Sequence, residues 1–393
     1  MTPYVQFFVR GAAQRGWKVR LMTTMKSAEH PAFKIVENEM PGELALSIMP
    51  EPASPGGTGQ ISLFYKQIQY RKAMALGFAA LGADEEPDLI FIMSIDAVDK
   101  ALSVLGSPFG KVPVSGMFVS VKFHRYQMGI GPSSRHDTLY RWSFERLLKI
   151  KSLFSVTVID EFFVEYSRQQ KKSGYNKVKF VPDPGELEGT ESAAQARDQL
   201  AILDDRFVIL VYGVLTKRKG VKELLEAVSL LNNDDPILVL LAGQIHADVE
   251  ATLHQSVAQN LLVNGRLMVV SGYQDKEQEY RLFRSANAVW LGYVGGFYGK
   301  SAVMAQAGSV GLPILASNNG LIGAITRSND LGLVFAPEDT SAVAGEIKRL
   351  QSDLNLQKRL GKNSRLFAEQ ATAEKFGDAL CKAIDILPET GRK

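Results

Sequence analysis

Three features of this 393-residue sequence predict an α/β protein built from two doubly wound, Rossmann-like domains. Short apolar, β-branched runs alternate with helical patterns almost throughout, the signature of parallel sheets covered by helices on both faces. One polar, turn-rich segment, Pro182-Asp-Pro-Gly185 followed by Glu-Leu-Glu-Gly-Thr-Glu191, separates two such series. The length suits two domains, each large enough to bury a core of its own.

The chain opens on a helical pattern, Tyr4–Arg15, in which Tyr4, Val5, Phe8 and Ala12 share a face and Gly16 ends the run. The strand pattern then recurs at Val19–Thr24, Asp88–Ser94, Val112–Val119, Phe154–Ile159 and Lys177–Val181. In the second series it recurs at Phe207–Tyr212, Ile237–Ala242, Leu267–Val270, Ala288–Leu291, Pro313–Ala316 and Gly332–Phe335. Between strands, Gly220–Asn232 carries Val221, Leu224, Leu225, Val228 and Leu231 on one stripe, an amphipathic helix. Pro50–Gly59 reads as an irregular surface loop. The domains predicted are 1–183 and 184–372, with a terminal segment 373–393. A doubly wound domain starts on a strand and this chain starts on a helix. The first sheet is therefore expected to lack a central strand between those at Val19 and Asp88, through a start upstream of this sequence or a rearranged sheet. Such a gap leaves backbone donors and acceptors unpaired.

Composition narrows the function. Hydrophobic residues are 46% and charged residues 22%, which excludes global disorder. The single cysteine, Cys381, excludes an intrachain disulfide and a cysteine-based zinc site, and reads as a small buried apolar residue. His30, His124, His136, His246 and His254 have no ligand-like spacing. No apolar run is long enough to span a membrane, and the start lacks a basic region before its apolar stretch. The net charge of +3 does not point to nucleic acid, but it is unevenly spread. Lys122 to Lys179 holds twelve Lys and Arg against five Asp and Glu, with Phe123, Tyr126, Tyr140, Trp142, Phe144 and Phe154 among them. That stretch is either a solvated helical face over buried aromatics or a surface for an anionic acceptor or membrane.

Two motifs carry chemistry. In Val211-Tyr-Gly213-Val-Leu-Thr-Lys217-Arg218-Lys219-Gly220 a strand runs into glycine, then three cations, then a helix. Cations at such a turn suit a diphosphate, although a solvated turn has the same composition. Gly292-Tyr-Val-Gly295-Gly296-Phe-Tyr298-Gly299-Lys300-Ser301 again lies between strand and helix, and its glycines let backbone N–H groups approach a ligand. It is one residue short of a P-loop, which argues against an ATPase. No D-x-D pair, GxSxG elbow or GxGxxG fingerprint is present.

In this order the segments resemble glycosyltransferase family 4, retaining nucleotide-sugar enzymes of the GT-B fold. Val211–Gly220 resembles the family's G-x-L-x-x-x-K-G turn, and Leu238–Gly243 its next strand. Val269–Tyr273 and Gln278–Leu291 resemble its strand, G-Y/F, helix and strand run. Ser301–Pro313 and Ile314–Gly320 resemble its helix, G-x-P turn and glycine-ended strand, and Arg359–Arg365 its late helix. Arg15–Val19 and Lys177–Asp183 carry a weaker likeness in the first half.

The resemblance implies a GT-B architecture, two domains facing a cleft, with the terminal helix crossing back to the first. It implies that Lys219 neutralises donor phosphate, with Gly213, Lys217, Arg218, Tyr273, Tyr298, Gly299, Lys300, Ser301, Ala302 and Gln306 around the donor. The family's E-x7-E glutamates fall on Tyr298 and Gln306, a departure at both. His124 would meet the donor sugar or acceptor, though a histidine hydrogen-bonded in a loop reads equally well. Asp160 and Glu161 are further cleft candidates or a helix N-terminal pair. The catalytic set expected is His124, Lys219 and Gln306. The expected activity is metal-independent, cytoplasmic sugar transfer from a nucleotide-diphosphate sugar, with no cofactor beyond the donor, no nucleic acid, and an unknown glycan, lipid or small-molecule acceptor. A non-catalytic nucleotide-sugar binder or partner subunit and a GT-B epimerase are the alternatives.

Overall fold

The computed structural model describes residues 2–30, 32–53, 59–82 and 85–385; part of the loop read at Pro50–Gly59 lies outside these. The chain forms two compact units, Met1–Pro182 with Ala373–Lys393, and Asp183–Thr372.

The first unit holds β1 (Arg20–Thr24), β2 (Ala45–Met49), β3 (Ile90–Ile92), β4 (Val114–Phe118), β5 (Leu153–Val158) and β6 (Val178–Phe180). All pair in parallel, β1 with β2 in one sheet and β3-β4-β5-β6 in another. β1 and β3 do not pair with each other; helices tie the two sheets together instead. Helix Thr2–Ala13 sets Phe8 on Phe91 of β3, ring centroids 5.3 Å apart, while its Val9 packs with Val36 and Met40 beside Leu21 of β1. Helix Gln60–Ala79 covers Met22 and Met49 so closely that a Cβ on Gly77 would come within 2.9 Å of both. β2 is a strand that sequence did not predict: Ala-Leu-Ser-Ile-Met has one β-branched residue, and its side chains alternate between half-buried and exposed.

Helix Ala373–Ile384 belongs to this unit. Its Phe376 stacks on Tyr4 at 5.2 Å and meets Phe7 edge-on. Gly11 and Gly377 face each other without side chains between them, so the two helices approach closely. Arg15 pairs with Asp378. Cys381 is fully buried in the same helix, and burial pushes its thiol up to about 11.

The second unit is one parallel sheet in the order β12-β11-β10-β7-β8-β9, formed by β7 (Phe207–Tyr212), β8 (Ile237–Gly243), β9 (Leu267–Ser271), β10 (Ala288–Leu291), β11 (Ile314–Ser317) and β12 (Gly332–Phe335). Its central strands are buried along their length, which explains their continuous apolar runs. Strand order reverses between β7 and β10. Ligands of doubly wound sheets bind in the crevice at the carboxyl ends of strands flanking such a switch point. β7 and β10 pair only through Ile209 and Leu210 with Ala288 and Val289, so their carboxyl ends are not laddered together.

Candidate functional site

Both glycine-bearing motifs leave the sheet at this switch point. Gly213 ends β7 at φ 102°, and the cations that follow form a single 3-10 turn, Lys217–Lys219, closed by Gly220 at φ 65°. The turn swings Lys219 back beneath its own strand. Its Nζ donates to the Tyr212 carbonyl and lies where a side chain on Gly213 would reach it at 3.4 Å. Lys219 is 6% exposed, and among the described residues no carboxylate lies within ion-pair distance of it. Burial drives its pKa below the ordinary lysine value. A buried cation without an anion is costly, so this is where an anionic ligand is best compensated.

The second motif is fastened to the first. Val294 N–H donates to the Arg218 carbonyl at 2.9 Å, and the Trp290 indole donates to the Lys219 carbonyl at 2.8 Å. A Cβ on Gly220 would strike the Gly292 carbonyl at 2.1 Å. The Arg218 guanidinium lies over Phe297 at 4.7 Å and Tyr293 at 5.6 Å, and Lys219 Nζ lies 5.6 Å from the Tyr293 ring. Gly295 and Gly296 are exposed and left-handed, at φ 68° and 73°. Gly299 precedes Lys300, both half-buried. The Ser301 hydroxyl meets Tyr293 Oη at 3.2 Å, so it is engaged within the protein. Ala302 leads into helix Val303–Ser309. Tyr298 packs against Gly320, where a Cβ would come within 2.5 Å of its Cα.

Gln306 projects from that helix, and its Nε2 donates to Glu279 Oε1 at 2.7 Å. Burial, then the Glu279 carboxylate, holds the Tyr212 phenol far above its usual range, with Tyr273 contributing. Tyr273 itself is 93% exposed. Lys217 contributes its backbone N–H to Asp248 at 2.8 Å, and its side chain faces solvent. The structure thus gathers Gly213, Lys217, Arg218 and Lys219 with the Gly292–Ser301 loop, and ties Gln306 to the same strand end through Glu279 and Tyr212. Tyr212 and Tyr293, which lie inside the two motifs but were not singled out, complete the site with Glu279, which lies outside both. The one sequence hint was their position just after, or facing, a strand's carboxyl end.

His124 stands in the turns that follow β4. It belongs to the first unit and is fully buried, its ring against Phe163 at 5.1 Å and Tyr166 at 6.0 Å. Nε2 lies 3.1 Å from Asp160 Oδ2, without the alignment of a hydrogen bond. Asp160 also caps helix Glu161–Gln169, accepting from the N–H groups of Phe162 and Phe163 at 3.1 Å. The histidine therefore touches the core and a capping carboxylate, with neither nitrogen reaching solvent. Both aromatic neighbours come from helix Glu161–Gln169.

Residues 192–367 match the family described as Glycosyl transferases group 1. No curated protein matches the chain. Among solved structures, sucrose-phosphate synthase from Thermosynechococcus elongatus aligns over 96% of this chain and 91% of its own, with TM-score 0.70 and 20% identity. Anabaena HepE in complex with UDP and glucose aligns over 98% and 96%, with TM-score 0.64 and 13% identity. WaaG, a glycosyltransferase involved in lipopolysaccharide biosynthesis, aligns over 97% and 95%, with TM-score 0.64 and 16% identity. These likenesses are of fold: α/β, with parallel sheets in two Rossmann-like units, as in GT-B glycosyltransferases.

Proposed function

From the group 1 glycosyl transferase domain at residues 192–367, we propose that this protein moves a sugar from a nucleotide-diphosphate sugar to an acceptor. The observation that carries the reading is Lys219: a buried ammonium with no carboxylate beside it among the described residues, at the switch point of the sheet, next to a glycine turn. A diphosphate supplies the missing anion. As the sugar leaves, charge grows on that diphosphate. Lys219, Arg218 and the backbone N–H groups of the Gly295–Ser301 loop are the groups that stabilise it. Lys300 lies in that loop and Ala302 follows it, Tyr298 and Gln306 stand where family 4 has glutamates, and Tyr273 offers an open aromatic face. In this reading His124 packs in the core of the first unit beside Asp160. Retention of configuration and independence of a divalent ion are part of the proposal, resting on the resemblance to family 4 and on Lys219.

The acceptor side falls to the first unit, whose basic stretch exposes Arg135, Arg146, Lys149, Lys151, Arg168 and Lys179. An anionic acceptor or the surface of an anionic membrane fits that charge. Among the described residues no helix is long and apolar enough to cross a membrane. Replacement of both family glutamates by Tyr298 and Gln306 favours one rival, a binder without turnover. Incubating the protein with a panel of nucleotide sugars and measuring release of nucleoside diphosphate separates them. Release that depends on Lys219 supports transfer. Binding without release supports the rival, and a changed sugar configuration without release indicates an epimerase.

A further inference from the structure

Among the described residues Glu279 is the carboxylate whose side chain meets both Gln306 and Tyr212, and the proposed transfer gives it no task. It stands on helix Lys276–Ser285 with its Oε1 held by the Gln306 amide at 2.7 Å, beside the Tyr212 phenol. Among the described residues no lysine or arginine pairs with it. The carbonyl of that same Tyr212 accepts from Lys219 Nζ. The carboxylate and the buried ammonium are therefore separated by about the length of one tyrosine side chain. A carboxylate repels phosphate, so it does not share Lys219's ligand group. Ionised, it has two oxygens and about four acceptor positions and donates nothing. Gln306 and Tyr212 take part of that capacity, and what remains fits a pair of O–H donors. A nucleotide sugar offers adjacent hydroxyls on its ribose and on its sugar, both within one molecule's reach of the diphosphate.

We infer that Glu279 accepts hydrogen bonds from a vicinal diol of the nucleotide sugar, with Gln306 holding it in place. The inference rests on the nucleotide-sugar reading. It also accounts for the residue at position 306: an amide can donate to Glu279, whereas a second carboxylate there would repel it. A helix-dipole role, the usual reason for an acid in a first turn, requires neither Gln306 nor Tyr212 and distinguishes no ligand.

The test is calorimetric titration of wild type and Glu279→Gln with UDP, GDP and ADP, their 2′-deoxy and 3′-deoxy forms, and UDP-glucose and GDP-mannose. Wild type is expected to prefer the ribonucleotide over its deoxy forms at least about tenfold, the scale of one charged hydrogen bond. Glu279→Gln is expected to erase that preference while deoxynucleotide affinity stays unchanged, which also reports an intact fold. If the diol is the sugar's, the substitution instead weakens the nucleotide sugar and spares the free diphosphate. Gln306→Leu, which releases Glu279, should reduce the same preference. Equal loss for ribo and deoxy ligands, or no change in these and none in the nucleotide sugars, overturns the inference and leaves the nucleotide site standing. Failure of wild type to bind any of these ligands overturns both together.

Discussion

The N–H of Val294 donates to the carbonyl of Arg218 at 2.9 Å, and this bond makes two loops 76 residues apart in sequence into one structure. The cation turn after β7 and the glycine loop after β10 each offer half of an anion site. Joined, they put Lys219 beneath a backbone free of side chains.

Lys219 is expected to be a stability cost carried for function. Lys219→Met keeps most of the side chain's length and removes a buried charge that no carboxylate pairs among the described residues, so the ligand-free protein should melt at a higher temperature. The pH dependence follows from the direction of its shift. Its pKa is depressed in the folded protein. Between that value and the ordinary lysine pKa of about 10.4, the unfolded chain holds a proton that the folded one has released. This group's contribution therefore makes stability rise with pH across that window, and the difference between wild type and Lys219→Met should shrink there. A melting series from pH 7 to 10 checks this; a gap that widens with pH contradicts it.

Gly220→Ala should disrupt both loops at once. The position is left-handed, and the added methyl would meet the Gly292 carbonyl at 2.1 Å. The backbone strain alone costs about 1–3 kcal/mol, before the clash is relieved. Denaturant unfolding gives the loss, and nucleotide affinity should fall with it.

Trp290→Phe removes the indole N–H that satisfies the buried Lys219 carbonyl. Leaving that acceptor unpaired should cost about 1–3 kcal/mol by urea unfolding.

His124→Ala should behave as a core deletion. The ring is buried against Phe163 and Tyr166, so about 2–4 kcal/mol of stability should go, with nucleoside-diphosphate affinity unchanged. A large fall in affinity at constant stability would mean that the imidazole reaches the ligand.

The parts of the fold legible in the sequence were those with one physical cause. β7, β10 and β12 run over Phe207–Tyr212, Ala288–Leu291 and Gly332–Phe335, as their apolar runs between turn residues predict. β2 was hidden because an exposed strand edge does not need β-branched residues on both faces. Gly213, Lys219 and the Gly292–Ser301 loop were visible as candidates because each follows a strand end. Their fastening through Val294 and Arg218 was not visible, since it is a backbone bond between distant segments. Nothing in the sequence singles out Glu279 on its polar helix, and only the folded position of Gln306 distinguishes it. His124 was legible only as a residue following a strand end, and the chain turns its imidazole inward against Phe163 and Tyr166.

The measurement that bears most directly on the account is calorimetric titration of nucleoside diphosphates into wild type and Lys219→Ala. The account predicts binding by wild type and a loss of about 1–3 kcal/mol in the variant, the range for a charge-assisted contact. Equal affinity in the two proteins would contradict it.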